Sequence, residues 1–343
     1  MVSCSLAVGK LSPEILGKLV FNRLGTPSSR VLLGPHIGED ASVIDFGQKA
    51  LVVHSDPITG AVENVGWLAV NVCANDIATR GVRPLWILIV MLLPQNIKTV
   101  QLERIANQID EATKELGITV VGGHSEISLG IDRPILVATT LGEAENAKFV
   151  STSGAKIGDK IIMTKGAAIE GTAILSTEFD EFLQTKVDGS IVQKAQSFIR
   201  MISVVKDALT AIKVGGIHAM HDATEGGIAG GLQEIAWASK VGIIAHEEKI
   251  PIYEETRKIC RVLNIDPLKT ISSGTLIISA NPEKAEKILD ALEIEGIKAS
   301  IIGQVVEPKK GSYLLRTDGS RLDLSEPVKE ELWKALETLE TKA

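Results

Sequence analysis

The chain has 343 residues, of which 45% are hydrophobic, so it is long enough to form two domains with separate cores. Its formal net charge of −7 argues against a nucleic-acid partner, because nucleic-acid phosphates require a basic protein face. The longest apolar run is too short to span a membrane, the first residues lack a signal-peptide pattern, and the three cysteines have no paired spacing, so we expect a cytoplasmic protein without membrane contact.

Residues 1–36 are interpreted as an N-terminal arm. Ser12 can cap a helix over residues 13–24, because Pro13 suits the first helical position. Residues 25–36 then have the composition of a mobile segment. Lys10 in this arm is either a solvated surface lysine or a contact to a phosphate group.

Residues 37–150 are predicted to form a first α/β domain. Apolar runs and helical periodicity predict strands at residues 50–54, 84–93, 118–121 and 135–141, and helices at residues 65–80 and 102–116. Asp56-Pro57 is expected to stop the first of these strands, and Gly122-Gly123 the third.

Residues 151–343 are predicted to form a second α/β domain, after a small and polar segment at residues 151–158. The predicted strands are at residues 160–164, 217–221, 241–245, 275–279 and 299–306. The predicted helices are at residues 169–176, 190–213, 225–239, 282–295 and 327–340. Strands interleaved with helices indicate a two-domain α/β (α+β) fold.

Two aspartates stand beside predicted strands of the first domain. Asp40 precedes a strand-like segment, and a turn or cap aspartate is the simpler interpretation of this residue alone. Asp56 precedes Pro57, which is equally consistent with an ordinary Asp-Pro turn. Carboxylates at strand ends also bind Mg²⁺ together with substrate phosphates.

Three polar residues interrupt the apolar helix predicted at residues 65–80. Asn71 and Asn75 are four residues apart on one face, with Asp76 beside them. Such residues disfavour a helix interior and need partners. Either they form a satisfied buried network, or they contact a nucleotide or Mg²⁺.

Gly122-Gly123-His124 follows a predicted strand, where ligands of α/β folds gather. Bare backbone amides at glycines can approach an anion closely. We expect His124 to form hydrogen bonds, since the hard ions that accompany phosphate prefer oxygen ligands. Neither a P-loop nor a dinucleotide-binding glycine motif is present.

Asp222 and Glu225 stand before a glycine-rich helix in the second domain. Their spacing fits a capping box, which alone explains both residues. Alternatively, Asp222 faces the same Mg²⁺ and phosphate as the aspartates of the first domain. His218 and His221 lack the spacing of a zinc-binding helix and are interpreted as strand surface.

In combination, these segments resemble the superfamily of aminoimidazole ribonucleotide synthetase (PurM), selenophosphate synthetase, thiamine-monophosphate kinase and HypE. Residues 38–43 are similar to the family's Gly-Asp-Asp-Ala-Ala-Val, with Glu39 in place of the first Asp. Residues 68–81 resemble its ATP-site helix, residues 122–125 its phosphate loop, and residues 217–227 and 301–306 the second domain of HypE.

This resemblance implies a Mg²⁺–ATP enzyme that activates a small carbonyl, carboxamide or phosphate substrate by phosphoryl transfer. It implies Asp40, Asp56, Asp76 and Asp222 as metal ligands, with Asp40, Asp76 and Asp222 catalytic. The implied nucleotide contacts are Asn71, Asn75, Gly122, Gly123, His124 and Lys10. It also implies a homodimer whose N-terminal sheets pair across the subunits.

The C-terminal segment departs from HypE, which ends in a Pro-Arg-Ile-Cys tail, because residues 339–343 contain no cysteine. From this we expect a HypE-related branch that does not make the cyanide precursor of hydrogenases. The alternatives left open are a HypE-like hydrogenase maturation factor with a protein partner and a non-catalytic nucleotide-binding scaffold.

Overall fold

The computed structural model describes residues 11–145 and 148–340, and it contains two mixed β-sheets flanked by helices. The strands are β1 (Val31–Leu33), β2 (Ser42–Asp45), β3 (Lys49–Ile58), β4 (Pro84–Leu93), β5 (Thr119–Ile127), β6 (Ile135–Glu145), β7 (Lys160–Thr164), β8 (Ile217–Asp222), β9 (Gly242–His246), β10 (Leu276–Ala280), β11 (Ala299–Val306), β12 (Tyr313–Leu315) and β13 (Arg321–Asp323).

The helices are α1 (Pro13–Ile15), α2 (Val65–Thr79), α3 (Thr99–Leu116), α4 (Ile169–Glu178), α5 (Asp180–Gln184), α6 (Gly189–Gln196), α7 (Val205–Val214), α8 (Gly227–Ser239), α9 (Glu254–Leu263), α10 (Pro282–Ile294) and α11 (Leu332–Glu340). A π-helical turn (Leu16–Val20) extends α1, and short 3-10 turns include Thr152–Gly154 and Ser197–Met201. Within the described part of the chain, no helix is both long and apolar enough to cross a membrane.

The first sheet has the strand order β1-β2-β3-β6-β4-β5, and the second has the order β13-β12-β9-β11-β7-β10-β8. Helix α2 contacts strands β3 and β6 of the first sheet and also α7 and β8 of the second domain. Every residue of α2 is buried, because both domains cover it. The Trp67 side chain fixes this packing by donating from Nε1 to the Ile199 carbonyl at 2.8 Å.

Most predicted elements of the first domain are confirmed. Helices α2 and α3 end before Gly81 and at Gly117, as the glycines predicted, and β4 has the predicted bounds. The expected stop at Asp56-Pro57 is wrong, since β3 continues to Ile58. At Pro57 the strand still pairs with β6 but has passed the end of β2, so the missing N–H of proline breaks no ladder there.

Four further differences from the sequence-based predictions concern element boundaries. Strand β1 lies inside the segment expected to be a mobile arm. Strand β5 runs through the double glycine. The single helix expected at residues 190–213 is instead α6, a 3-10 turn and α7. The short elements α5, α9, β12 and β13 were not predicted.

Candidate functional site

Four aspartates from distant parts of the chain lie together where the two domains meet. Asp40 precedes β2, Asp56 belongs to β3, Asp76 to α2, and Asp222 ends β8. Ligand atoms of Asp40, His221 and Asp222 lie within 4.8 Å of one another, as do those of His54, Asp56 and Asp76. We call the four aspartates the carboxylate centre.

The electrostatics link the two groups of side chains. Burial raises the pKa of Asp76 well above its ordinary value, and the negative charges of Asp222, Asp40 and Asp56 raise it further. Burial also raises the pKa of Asp222 to about 7, with an added contribution from the charge of Asp40. Carboxylates that raise one another's pKa in this way share a site that a cation would stabilise.

Asp222 is the most informative member of the centre. Its side chain is buried, and within residues 11–145 and 148–340 neither of its carboxylate oxygens has a hydrogen-bond partner. The capping-box interpretation is wrong, because α8 begins at Gly227, its cap residue is Gly226, and no side chain caps it. A buried carboxylate without partners is costly unless a ligand compensates it.

Asp40 is held by two cationic side chains. Its Oδ2 accepts a hydrogen bond from Nη2 of Arg80 at 2.8 Å, and its Oδ1 forms an ion pair with Nδ1 of His221. Burial opposes ionisation of Asp40, but the charges of His221 and Arg80 outweigh it and lower the pKa of the carboxyl group. Asp40 is therefore a stable carboxylate at neutral pH.

The interpretation of His221 as strand surface is wrong. Its side chain is buried, and its Nε2 donates to Glu234 at 2.6 Å. Burial opposes protonation, yet the charge of Asp40 and the hydrogen bonds to Asp40 and Glu234 raise the pKa of His221 to about 10. Both nitrogens of a charged imidazolium carry protons and offer no lone pair to a metal, so the carboxylates are the candidate metal ligands.

His218 is partly buried rather than fully exposed, because its Nδ1 lies 2.9 Å from both oxygens of Asp159. Among the described residues, no hydrogen bond joins this pair to Asp222, the member of the carboxylate centre on β8.

Arg80 was not recognised from the sequence, although it is fully buried at the centre of the domain contact. Its guanidinium pairs with Glu39 and donates to the Thr152 hydroxyl at 2.8 Å. Glu39, in turn, accepts the N–H groups of Thr152 and Ser153 at 3.1 Å each. The longer side chain at position 39 thus ties the first domain to the start of the second.

The two asparagines of α2 are engaged by protein groups. Asn75 donates to the Ile202 carbonyl at 2.9 Å and accepts from the Val204 N–H at 2.8 Å. Asn71 donates to the Trp67 carbonyl at 2.9 Å within its own helix. The alternative of a satisfied buried network therefore describes Asn75, whose amide has both of its functions occupied.

The double glycine does not form a loop beside the carboxylate centre. Gly122 and Gly123 lie inside β5 at a register shift against β4, and a side chain at Gly123 would meet the Ile89 carbonyl oxygen at 1.9 Å. Gly123 pairs with Ile89, which pairs with Ala138, which pairs with Asp56. Three strand spacings of ~4.8 Å therefore separate the backbones of Gly123 and Asp56 by about 14 Å. Within one chain, the glycines and the aspartates are separate.

The remaining predicted contacts lie elsewhere. His124 is exposed on β5, with Nε2 3.1 Å from Glu126. Lys10 and Cys4 lie outside the described residues. Cys73 and Cys260 are buried, and burial raises the pKa of each thiol to about 12, so neither is a reactive thiolate at neutral pH.

Two family models match this arrangement of domains. The N-terminal domain of AIR synthase related protein matches residues 38–144, and the C-terminal domain matches residues 156–315. The chain belongs to the AIR synthase related family. The superfamily resemblance and the two-domain α/β fold inferred from the sequence are therefore confirmed.

Curated relatives within this family include hydrogenase maturation proteins. A putative hydrogenase expression/formation protein of Methanocaldococcus jannaschii is 28% identical over 323 residues, which cover 92% of this chain and 94% of the relative. The carbamoyl dehydratase HypE of Rhizobium leguminosarum bv. viciae is 30% identical over 280 residues, which cover 78% of this chain and 77% of the relative.

Solved structures of the family have the same fold. A chain in the crystal structure of a HypE–HypF complex matches with a TM-score of 0.74 and 23% identity, covering 91% of this chain and 99% of that chain. The hydrogenase maturation protein HypE in complex with ATP matches with a TM-score of 0.72 and 24% identity, covering 96% of this chain and 98% of that chain.

Proposed function

We propose that this chain is a HypE-like maturation factor that binds Mg²⁺–ATP at the carboxylate centre and activates a small carboxamide, carbonyl or phosphate substrate by phosphoryl transfer to oxygen. The observation that carries the proposal is Asp222, a buried carboxylate that has no hydrogen-bond partner at either oxygen in the described part of the chain. The ATP complex of a HypE with the same fold supports the nucleotide, and the carbamoyl dehydratase relative supports a carboxamide-type substrate.

The residues of the centre fit a hard divalent cation. Asp40, Asp56, Asp76 and Asp222 supply oxygen ligands, which Mg²⁺ prefers. When bound, the metal neutralises phosphate charge and orients the phosphates for transfer. Burial, together with the neighbouring negative charges, raises the pKa values of Asp76 and Asp222, and a bound cation would compensate both effects.

The cationic side chains of Arg80 and His221 do not contact the phosphates in this proposal. Arg80 and His221 keep Asp40 ionised and fixed, and neither side chain is exposed to the cleft. Because Asp222 comes from the second domain, the ligand set is complete only when both domains are docked. Arg80 and Asn75 maintain that docking through contacts with Met220 and with Ile202 and Val204.

We further propose that the chain works as a homodimer and with a maturation-type protein partner. All nine residues of β5 are exposed, and β5 is the edge strand of its sheet. Its side chains include Val120 and Val121, 47% and 54% exposed. An exposed apolar edge strand favours pairing with another chain. The solved HypE–HypF complex supports the protein partner.

The proposed function is tested with Asp222→Asn, which removes one charge at nearly constant volume. We expect its affinity for Mg²⁺–ATP, measured by calorimetry, to fall at least about tenfold. The control is Asp290→Asn on the exposed face of α10, which should bind as the wild type does. Unchanged affinity in Asp222→Asn would disprove the site.

Turnover separates the enzyme from a nucleotide-binding scaffold. Phosphate release from ATP should increase when small carboxamides or carbonyl compounds are added to the wild type, and Asp222→Asn should abolish the increase. Mg²⁺–ATP binding without any phosphate release, with or without the protein partner, would instead identify a scaffold.

A further inference from the structure

We propose that a second cavity, separate from the carboxylate centre, binds a small organic phosphate with an apolar or aromatic body. The cavity has a volume of about 650 Å³ and lies between the end of α3, the start of α7 and the turn after α10. This size is typical of small-molecule sites. None of its lining residues belongs to the carboxylate centre. We call it the basic cavity.

The charge of the lining is opposite to that of the whole chain. The net charge of the protein is −7, whereas the acidic residues that line the cavity, among those the structure describes, are Glu115, Asp207 and Glu295. The cationic residues are Arg83, Lys165, Arg200, Lys206, Lys213 and Lys298. A positive cleft in an acidic protein concentrates field lines and attracts anions.

Half of these cations are already neutralised by protein groups. Nζ of Lys165 lies 3.1 Å from Asp207, and Nζ of Lys206 lies 3.1 Å from Glu295. Arg200 pairs with Glu111, which does not line the cavity, at 2.6 Å.

The other half are available to a ligand. Within residues 11–145 and 148–340, the side chains of Arg83, Lys213 and Lys298 have no ion pair or hydrogen bond. Of the three lining acids, Glu115 likewise has no side-chain ion pair or hydrogen bond within these residues. The surplus of unpaired positive charge, contributed by both domains, matches an anion that carries more than one negative charge.

The rest of the lining is apolar. Leu116, Met201, Leu209 and Ile297 contribute aliphatic surface, and Tyr253 contributes an aromatic ring. A free inorganic anion gains nothing from such a wall, whereas an organic phosphate buries its body there and presents its phosphate to the cations. Unpaired cations beside an apolar wall therefore favour an organic phosphate over an inorganic anion.

The backbone at this cavity is also unusual. Lys165 has φ 57°, an unfavourable value for a side chain of this kind. Its ammonium group is held by the Ser203 carbonyl at 2.6 Å in addition to Asp207. Strained residues that are held by several contacts occur preferentially at ligand sites.

The test uses phenyl phosphate as the probe, with inorganic phosphate for comparison, in buffer containing EDTA and no nucleotide. Without metal, the four aspartates repel anions, so binding reports on the basic cavity. We expect saturable binding of one phenyl phosphate per chain by calorimetry, with at least threefold weaker binding of inorganic phosphate.

The variant Lys213→Gln/Lys298→Gln removes two unpaired cations and should weaken phenyl phosphate binding about tenfold or more. The matched control Lys287→Gln/Lys310→Gln changes the net charge equally at exposed positions outside the cavity and should bind within twofold of the wild type. Absence of saturable binding, or an equal loss in both variants, would overturn the proposal. Mg²⁺–ATP binding by the first variant stays at the wild-type level, so this test fails or succeeds independently of the proposed function.

Discussion

Nη2 of Arg80 lies 2.8 Å from Oδ2 of Asp40, and both side chains are buried. The same nitrogen donates to the Thr152 hydroxyl at 2.8 Å and to the Met220 carbonyl at 3.3 Å. A contact that joins the two domains therefore also fixes one of the proposed metal ligands. Domain docking and the geometry of the carboxylate centre depend on the same guanidinium group.

Replacing this guanidinium should be severely destabilising. Arg80→Met keeps an unbranched chain but leaves Asp40 and Glu39 buried without their cation, so we expect a loss of about 3–5 kcal/mol in the free energy of unfolding. Urea unfolding measures it. The exposed pair of Arg104 and Glu63 supplies the control, and Arg104→Met should cost less than about 1 kcal/mol. Equal stability of the two variants would contradict the assignment.

Asn75 and Asn71 provide a second matched pair. Asn75→Ala leaves a buried carbonyl at Ile202 and a buried N–H at Val204 unpaired, which should cost about 2–4 kcal/mol. Asn71→Ala removes the same group from the same helix without this effect and should cost about 1 kcal/mol. Thermal unfolding gives the difference. A stable Asn75→Ala protein that no longer binds Mg²⁺–ATP would show instead that Asn75 is a nucleotide ligand.

The double glycine can be tested by alanine at each position. Gly123→Ala should destabilise the protein by more than about 2 kcal/mol, because φ is +148° and the new methyl group meets the Ile89 carbonyl. Gly122→Ala should be tolerated, since its nearest contact is Leu88 Cδ2 at 3.6 Å. Denaturant unfolding of both variants is the measurement. A stable Gly123→Ala protein would refute the packing explanation.

Glu170 predicts a pH dependence of stability. Burial raises its pKa from 4.5 to about 7, the nearby polar groups of Ser273 oppose this, and the charges of Glu330 and Asp56 add to it. Because the folded pKa exceeds the unfolded one, this contribution to stability is complete below about pH 4.5 and is lost as the pH rises through about 7.

Glu170→Gln removes that titration. In EDTA, the decrease in unfolding free energy between pH 5 and pH 8 should be smaller than in the wild type by about 2–3 kcal/mol. Urea titrations at the two pH values measure this, with Glu293→Gln on the exposed side of α10 as the control. If the two variants have the same pH dependence, Glu170 is not the titrating group.

The proposed homodimer is tested at β5. Val121→Lys places a charge on the exposed edge strand and should convert the dimer into a monomer in sedimentation velocity at micromolar concentration. Val100→Lys changes a 61% exposed residue of α3 in the same way and should leave the dimer intact. A monomeric wild type at this concentration would exclude the dimer.

Local patterns in the sequence were sufficient for the regular elements. Helix α3 ends at Gly117 because glycine adopts the left-handed cap, here with φ 68°, and the apolar run at residues 84–93 is β4. The same logic failed at Gly122-Gly123, because a side chain at Gly123 would collide with the Ile89 carbonyl of a neighbouring strand. Such a contact depends on register, which the local sequence does not encode.

Some residues of the candidate site were also predicted from the sequence, and others were not. The four aspartates were expected at one site because of the superfamily resemblance, since the local pattern alone allowed turn or cap roles for three of them, and the structure brings their side chains close together. Arg80 and His221 were missed because their burial requires both domains to be assembled. His221 could have been suspected from its position beside Asp222, but its partner Glu234 lies one helix further along the chain.

Helix α2 determines how a substrate can reach the carboxylate centre. All residues from Val65 to Thr79 are buried, and α2 contacts both domains, so swinging the domains apart would expose apolar side chains of this helix to water. Each Å² of apolar surface exposed in such an opening would cost roughly 25 cal/mol of free energy. We therefore expect the two domains to stay docked while a ligand reaches the carboxylate centre from its rim.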